Sequence, residues 1–318
     1  MESNGKSTTW KRVGQGLLLA LVAFGLVVAQ FEMKNIVLAQ TKQTKFQSPA
    51  EASTALAKAA KQDDEAALTS ILGVDTKVLL SSGDREAEKA ALQAFAAKYE
   101  KMNRWVDMSN GSRVLYIGAD NFAFPVPLAK DSSGQWYFDA VAGAQEIRAR
   151  DIGRNELLTI DACAAIAAAQ KTYFAAGGDQ AEYAQRIIST SGKQDGLYWP
   201  SSDAQTPSPL ASLSEFPRSS LTSLAAEKPL VVDGYSLRIL TSQGEEAAGG
   251  AKSYIVNGKM SDGFAVLATP VKYGETGIMT FMVGSDGVVY ERNLGPDTAK
   301  IAASIQQYNP TDDWSAVE

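Results

Sequence analysis

The sequence predicts an α+β protein: an N-terminal unit of three helices plus an antiparallel sheet, then a long helix packed on a C-terminal antiparallel sheet. Three observations predict it. Capped helical periodicity fills residues 48–103, short strand-like runs separated by Gly, Asp and Ser follow, and one long helical stripe precedes a second set of such runs. The 318 residues, 45% of them hydrophobic, are enough for two packed cores.

The first 39 residues read as an export signal outside the fold. Lys6, Lys11 and Arg12 form a basic start, and Gly14 to Ala29 is an uncharged, mostly apolar run. Cleavage after Ala29 or after Ala39 is conceivable, and the polar stretch from Gln40 favours the second. Retained as an anchor, the same segment would tether the chain to the membrane. No cysteine lies near either cut, which excludes a lipoprotein anchor. The net charge is −6. Cleavage after Ala39 removes Lys6, Lys11, Arg12 and Lys34 but only Glu2 and Glu32, so the mature chain is more acidic still. The expectation is an exported, periplasmic protein without nucleic-acid partners, touching a membrane only through an uncleaved anchor.

The N-terminal domain, expected over 46–143, opens with Ser48-Pro49, an N-cap before a proline at the first helical position, with Glu51 placed as in a capping box. Asp63-Asp64-Glu65 starts a second helix, Glu65 to Leu72, ended by Gly73. Ser82-Gly83-Asp84 precedes a third, from Arg85 to Asn103. Strands are expected at Trp105–Ser109, Arg113–Ile117, Phe122–Lys130 and Gln135–Asp139, the last two joined by a turn at Asp131 to Gly134.

The C-terminal domain, expected over 144–318, starts with a helix from Ala144 to Ala176 that Gly153 could interrupt and Gly177-Gly178 closes. A short amphipathic piece, Gln180 to Ile188, follows. Four prolines within 201–229 mark a long surface loop. Strands come next at Tyr235–Thr241, Ser253–Val256, Gly263–Thr269, Ile278–Val283 and Val288–Glu291, with a hairpin signal at Ser285-Asp286-Gly287. A last helix is expected from Asp297 to Tyr308.

Two fold resemblances accompany these patterns. Three helices followed by an antiparallel sheet resemble the cone-shaped nuclear-transport-factor-2-like domains. That implies an interior that Tyr99, Trp105, Tyr116, Trp136, Tyr137 and Phe138 either line as a pocket or fill as core. Phe264 to Pro270, Gly277 to Phe281 and Asp286 to Tyr290 resemble the sheet of type II secretion pseudopilins. Here, however, the preceding helix is internal and follows a whole domain, so pilus assembly is not implied.

Several phrases are similar to one bacterial family: Ile152-Gly153-Arg154-Asn155-Glu156-Leu157, Tyr183-Ala184-Gln185-Arg186, Gly192 to Pro200, Tyr235 to Gly244, Tyr254 to Met260 and Tyr290 to Thr298. Together they resemble the exported proteins of domain-of-unknown-function family 2950, from Phe46 to Trp314. The resemblance brings no activity with it.

Composition removes much chemistry. Zero histidine excludes Ser-His-Asp and Cys-His triads and His-ligated metals, and a single cysteine excludes an intrachain disulfide. Cys163 sits among alanines on the long helix, where a buried inert thiol is the default. No acidic series suggests a calcium loop, and Ser189 to Lys193 lacks the spacing of a phosphate-binding loop or a Ser-x-x-Lys pair. No cofactor and no metal is expected. The candidate ligand platform is the Asp-Gly turn carrying aromatics, with Asp195, Tyr198 and Trp199 as its residues; the alternative is a loop pinned by buried rings. The function expected is a non-catalytic binding or assembly module with an envelope protein or small ligand as partner. A His-free periplasmic enzyme or small-ligand carrier with an N-terminal pocket is the alternative.

Overall fold

The computed structural model describes residues 43–73, 84–200, 207–212 and 230–317. The export segment, the Ser82-Gly83 lead-in and most of the proline-bearing loop lie outside the described residues. The chain divides into two compact units after Ile147, and each is described by itself.

In the first unit, caps set the helix boundaries. Helix α1 (Pro49–Gln62) starts where the Ser48 hydroxyl accepts the Glu51 N–H at 3.2 Å, and ends at Asp63 in the left-handed region. The capping box closes one residue early, because the Glu51 carboxylate accepts from the Gln47 N–H rather than from that of Ser48. Helix α2 (Glu65–Leu72) is capped by Asp64 and closed by Gly73 at φ 75°. In α3 (Arg85–Lys101), the Asp84 carboxylate accepts the Glu86 and Ala87 N–H groups.

Strands β1 (Asn103–Asp107), β2 (Arg113–Ile117), β3 (Phe122–Ala123), β4 (Leu128–Lys130) and β5 (Trp136–Phe138) make one antiparallel sheet, ordered β1-β2-β4-β5 with β3 also on β2. The expected turn forms at Asp131, whose carboxylate accepts from the Ser133 N–H and hydroxyl and the Gln135 N–H. Leu115, Ile117, Leu128 and Phe138 alternate inward and are fully buried with Phe46, Leu56, Leu68 and Leu72.

The six aromatic residues of the cone resemblance do not share one role. Phe138 fills core, edge-on to Phe46 and Phe124 at 6.4 and 6.1 Å, and Trp136 is buried beside it in the chain. Tyr99 shares a hydrogen bond with the Ser53 hydroxyl. By strand alternation Tyr116 and Tyr137 point to the opposite face, where Arg104 and Lys45 sit over their rings at 4.7 and 3.9 Å. Trp105 packs partly buried against the core.

Helix α4 (Ala140–Ala176) begins in the first unit and continues into the second. It starts four residues earlier than the sequence suggested, because Asp139 caps it by accepting from the Ala142 N–H. It also runs unbroken through Gly153. A helix-interior glycine costs only about 1 kcal/mol relative to alanine, against the burial of Ile152, Ala162, Cys163, Ile166 and Ala169.

The second sheet is an antiparallel meander of β6 (Leu230–Val232), β7 (Tyr235–Leu240), β12 (Ala265–Pro270), β13 (Met279–Gly284), β14 (Val289–Asn293) and β15 (Ser315–Ala316), ordered β15-β14-β13-β12-β7-β6. Two small ribbons are inserted between β7 and β12. One pairs β8 (Ser242–Gln243) with β9 (Lys252–Ser253), the other β10 (Ile255–Val256) with β11 (Lys259–Met260). Leu237 opposite Ala268 and Ala268 opposite Phe281 fix the central register.

Helix α5 (Thr298–Ser304) stops short of the expected Tyr308. The Arg238 guanidinium reaches from β7 to the Ala302 and Ile305 carbonyls and occupies acceptors at the helix end. Residues 180–188 also differ from expectation. A single 3-10 turn, Gly178–Gln180, gives way to irregular chain whose backbone groups are taken by distant partners.

Candidate functional site

The site grows from that irregular chain, residues 181–200, held against the C-terminal end of α4. Gln170 of α4 is fully buried and binds both backbone groups of Ala184: its Nε2 donates to the carbonyl and its Oε1 accepts the N–H, each at 2.8 Å. One residue earlier, the Tyr183 N–H donates to the Met260 carbonyl at 2.7 Å. The Tyr183 ring stacks on Phe174 at 4.5 Å and leans against Phe264 at 5.0 Å.

The chain then turns back on itself. Ile188 bridges Tyr198 in parallel, and the Leu197 and Tyr198 N–H groups both donate to the Ile187 carbonyl at 2.9 Å. Gly196 is required by close approach, since a Cβ there would stand 2.7–3.0 Å from the backbone of Ile188 and Ser189.

Asp195 faces Thr190 across this turn. One carboxylate oxygen accepts the Thr190 N–H at 2.7 Å, the other its hydroxyl at 2.8 Å. Arg186 donates to the same hydroxyl oxygen, and its Nε stands 3.9 Å from Asp195. Partial burial pulls the Asp195 carboxyl upward. The two Thr190 donors and the Arg186 charge outweigh that pull and hold it below the usual carboxylate range. Tyr173 of α4 donates its hydroxyl proton to the Gln194 carbonyl at 2.9 Å. Burial, followed by the charges of Glu182 and Asp195, raises its phenol.

Between these groups lies an open cleft of about 210 Å³, lined by Tyr173, Glu182, Tyr183, Ala184, Gln185, Arg186 and Asp195. Of the three residues singled out from sequence, Asp195 borders it. Trp199 is 6% exposed and Tyr198 packs partly buried against the core of the second unit, so neither is in the cleft wall. The aromatics of the Asp-Gly segment thus anchor the loop that presents the aspartate. Sequence reasoning missed Tyr173, Glu182, Tyr183 and Arg186 as site residues. For Tyr183 and Arg186 the one local signal is the phrase Tyr183 to Arg186, which carries the family likeness but says nothing of position; Tyr173 and Glu182 have none.

No nucleophile–base pair is present in the cleft wall. Cys163 is fully buried elsewhere on α4, its thiol pushed up to about 12 by desolvation. Among the described residues, no group of three or more Cys, Asp or Glu side chains could hold a metal ion.

The phrase Ile152 to Leu157 has a different use. The Glu156 carboxylate accepts the Ile278 and Met279 N–H groups at 2.8 and 3.0 Å, and the Asn155 amide donates to the Thr276 carbonyl at 3.0 Å. Tyr235 donates to the Met279 carbonyl at 2.9 Å. These bonds latch α4 to the chain entering β13. Burial, then the Glu156 charge, raises the carboxyl of Glu291 nearby.

Fold and site together define a two-unit α+β protein with a small polar–aromatic cleft in its second unit. Residues 43–317 match the family described as "Protein of unknown function (DUF2950)", and the chain belongs to that family. No curated protein and no solved structure matches the chain.

Proposed function

We propose that the protein is an exported, non-catalytic binding or assembly module of the cell envelope that engages its partner through the cleft between Tyr173 and Asp195. The observation that carries this reading is the way the cleft wall is held. Gln170 fixes the backbone of Ala184, Thr190 and Arg186 fix Asp195, and Gln194 fixes Tyr173. Such a wall is preorganised for recognition. The basic start and apolar run of residues 1–39 support export. Among the described residues no helix is long and apolar enough to cross a membrane.

The test is cell fractionation followed by gentle envelope extraction of the full chain. The reading expects the protein outside the cytoplasm and sedimenting as a complex heavier than its own mass. A cytoplasmic protein, or a reproducibly partner-free monomer, contradicts it.

A further inference from the structure

We infer that the cleft takes a primary ammonium group, with the Glu182 carboxylate as its counter-ion. This deepens the proposal that the cleft is a binding site and rests on it. The argument begins with charge. Three ionised groups border the cleft: Glu182, Arg186 and Asp195. Arg186 and Asp195 are joined through Thr190 and offset each other. Glu182 is half-buried and makes no hydrogen bond or ion pair among the described residues. Among the described residues the cleft is therefore left with one uncompensated negative charge, and a partly desolvated carboxylate gains most from a cationic ligand.

The remaining hydrogen-bonding capacity points the same way. Tyr173 has given its proton to the Gln194 carbonyl, so its oxygen can offer the cleft only lone pairs. Gln185 has given one of its two amide N–H groups to the Gly258 carbonyl, and its own carbonyl oxygen is left to accept. Glu182 accepts only. An ammonium carries three donors and no acceptor, and so complements separate acceptors of this kind. Tyr173 also lines the wall, and an aromatic ring face attracts a cation. An anion would meet Glu182, and Arg186, the one cation lining the cleft among the described residues, is already engaged with Thr190 and Asp195.

Size narrows the ligand further. A cleft of about 210 Å³ is smaller than the roughly 300–1,000 Å³ of ordinary small-molecule sites. It suits the end of an alkylammonium chain rather than a whole cofactor. The ammonium could come from a free amine or from a lysine side chain of a partner protein, and the experiment separates the two.

The full chain is titrated with n-butylamine, with Nα-acetyl-lysine methylamide and with its neutral analogue Nα-acetyl-norleucine methylamide, and heat release is recorded. Both cations are expected to bind and the norleucine compound not to. Glu182→Gln is expected to weaken the cations by about tenfold, with Glu182→Asp recovering part of the loss and thermal stability unchanged in both variants. Equal binding of the two cations assigns the site to free amines, and a preference for the lysine compound assigns it to a partner's side chain; either supports the inference. Equal binding of the norleucine compound, or unchanged affinity in Glu182→Gln, overturns it. If the chain comes out of the envelope with a partner on the cleft yet neither cation binds, the ammonium assignment falls and the binding-site reading stands. If cations bind but no partner contacts the cleft, the assembly reading falls instead.

Discussion

Gln170 and Ala184 form a closed pair in which one side-chain amide replaces the backbone partner that an extended neighbour would supply, with both bonds at 2.8 Å. Both residues are buried. The pairing satisfies the backbone of Ala184 without helix or sheet, and it helps set one wall of the cleft. Gln170→Leu keeps most of the volume but strands a buried N–H and a buried C=O. Unpaired buried groups of this kind cost about 1–3 kcal/mol each, so a loss of about 3 kcal/mol is expected. Urea unfolding should show a lower midpoint with little change in slope. A midpoint within error of the unmodified protein would mean that the amide pair does not hold this segment.

The latch between Glu156 and the start of β13 gives a second contrast. Glu156→Ala removes the acceptor for Ile278 and Met279 and should cost about 3 kcal/mol, since hydrogen bonds to a charged group contribute about 1.5–3 kcal/mol each. Glu156→Gln retains an acceptor and relieves the repulsion felt by Glu291, so most of that loss should be absent. Equal losses in the two variants would show that the carboxylate acts through charge alone.

Two carboxyls should give opposite pH dependences. Asp195 is held low in the folded state, so its contribution is present above its unfolded pKa and disappears as pH falls through the folded value. Asp195→Asn should lower the melting temperature at pH 7 and lose that effect under strongly acidic conditions. Glu291 is raised by burial and by Glu156, so its contribution is present at low pH and is lost as pH rises through the folded value. Glu291→Gln should therefore raise the melting temperature at pH 7 and leave it unchanged at pH 4. Melting curves of both variants across this range check the signs.

Cys163 should behave as an inert core atom. Its thiol is fully buried and pushed up to about 12, and the reactive form of a cysteine is the thiolate. An aromatic disulfide reagent at pH 8 should leave the folded chain unlabelled and label it fully in denaturant. Rapid labelling of the folded protein would place the thiol at an accessible surface.

Much of this architecture is legible in local sequence, for a physical reason. The ends of α1 and α2 are written in residues that satisfy orphan backbone groups: Ser48 and Pro49, Asp64, and Gly73. The Asp131 turn is legible in the same way, because an aspartate folds back on its own neighbours. What local pattern cannot carry is the distant partner. The spacing of Ala184, Ile187 and Ile188 imitates a helix face, yet Gln170 and Met260 claim that backbone from elsewhere in the chain. Gly153 looks like a break, yet the apolar burial on either side carries the helix through it. The cleft was half legible. Asp195 stood out as a polar turn residue beside aromatics, whereas Tyr173 and Glu182 reach it only once α4 and the irregular chain are brought together.

The central claim is that the 173–195 cleft is the surface through which this protein engages a partner protein. It is tested most directly by placing a photo-crosslinking amino acid at Gln185, an exposed cleft residue, and at Lys300, an exposed position on α5 of the same unit. In intact cells, illumination should give a discrete adduct from the Gln185 position and none from Lys300. Adducts of equal yield from both, or none from Gln185, would contradict the claim.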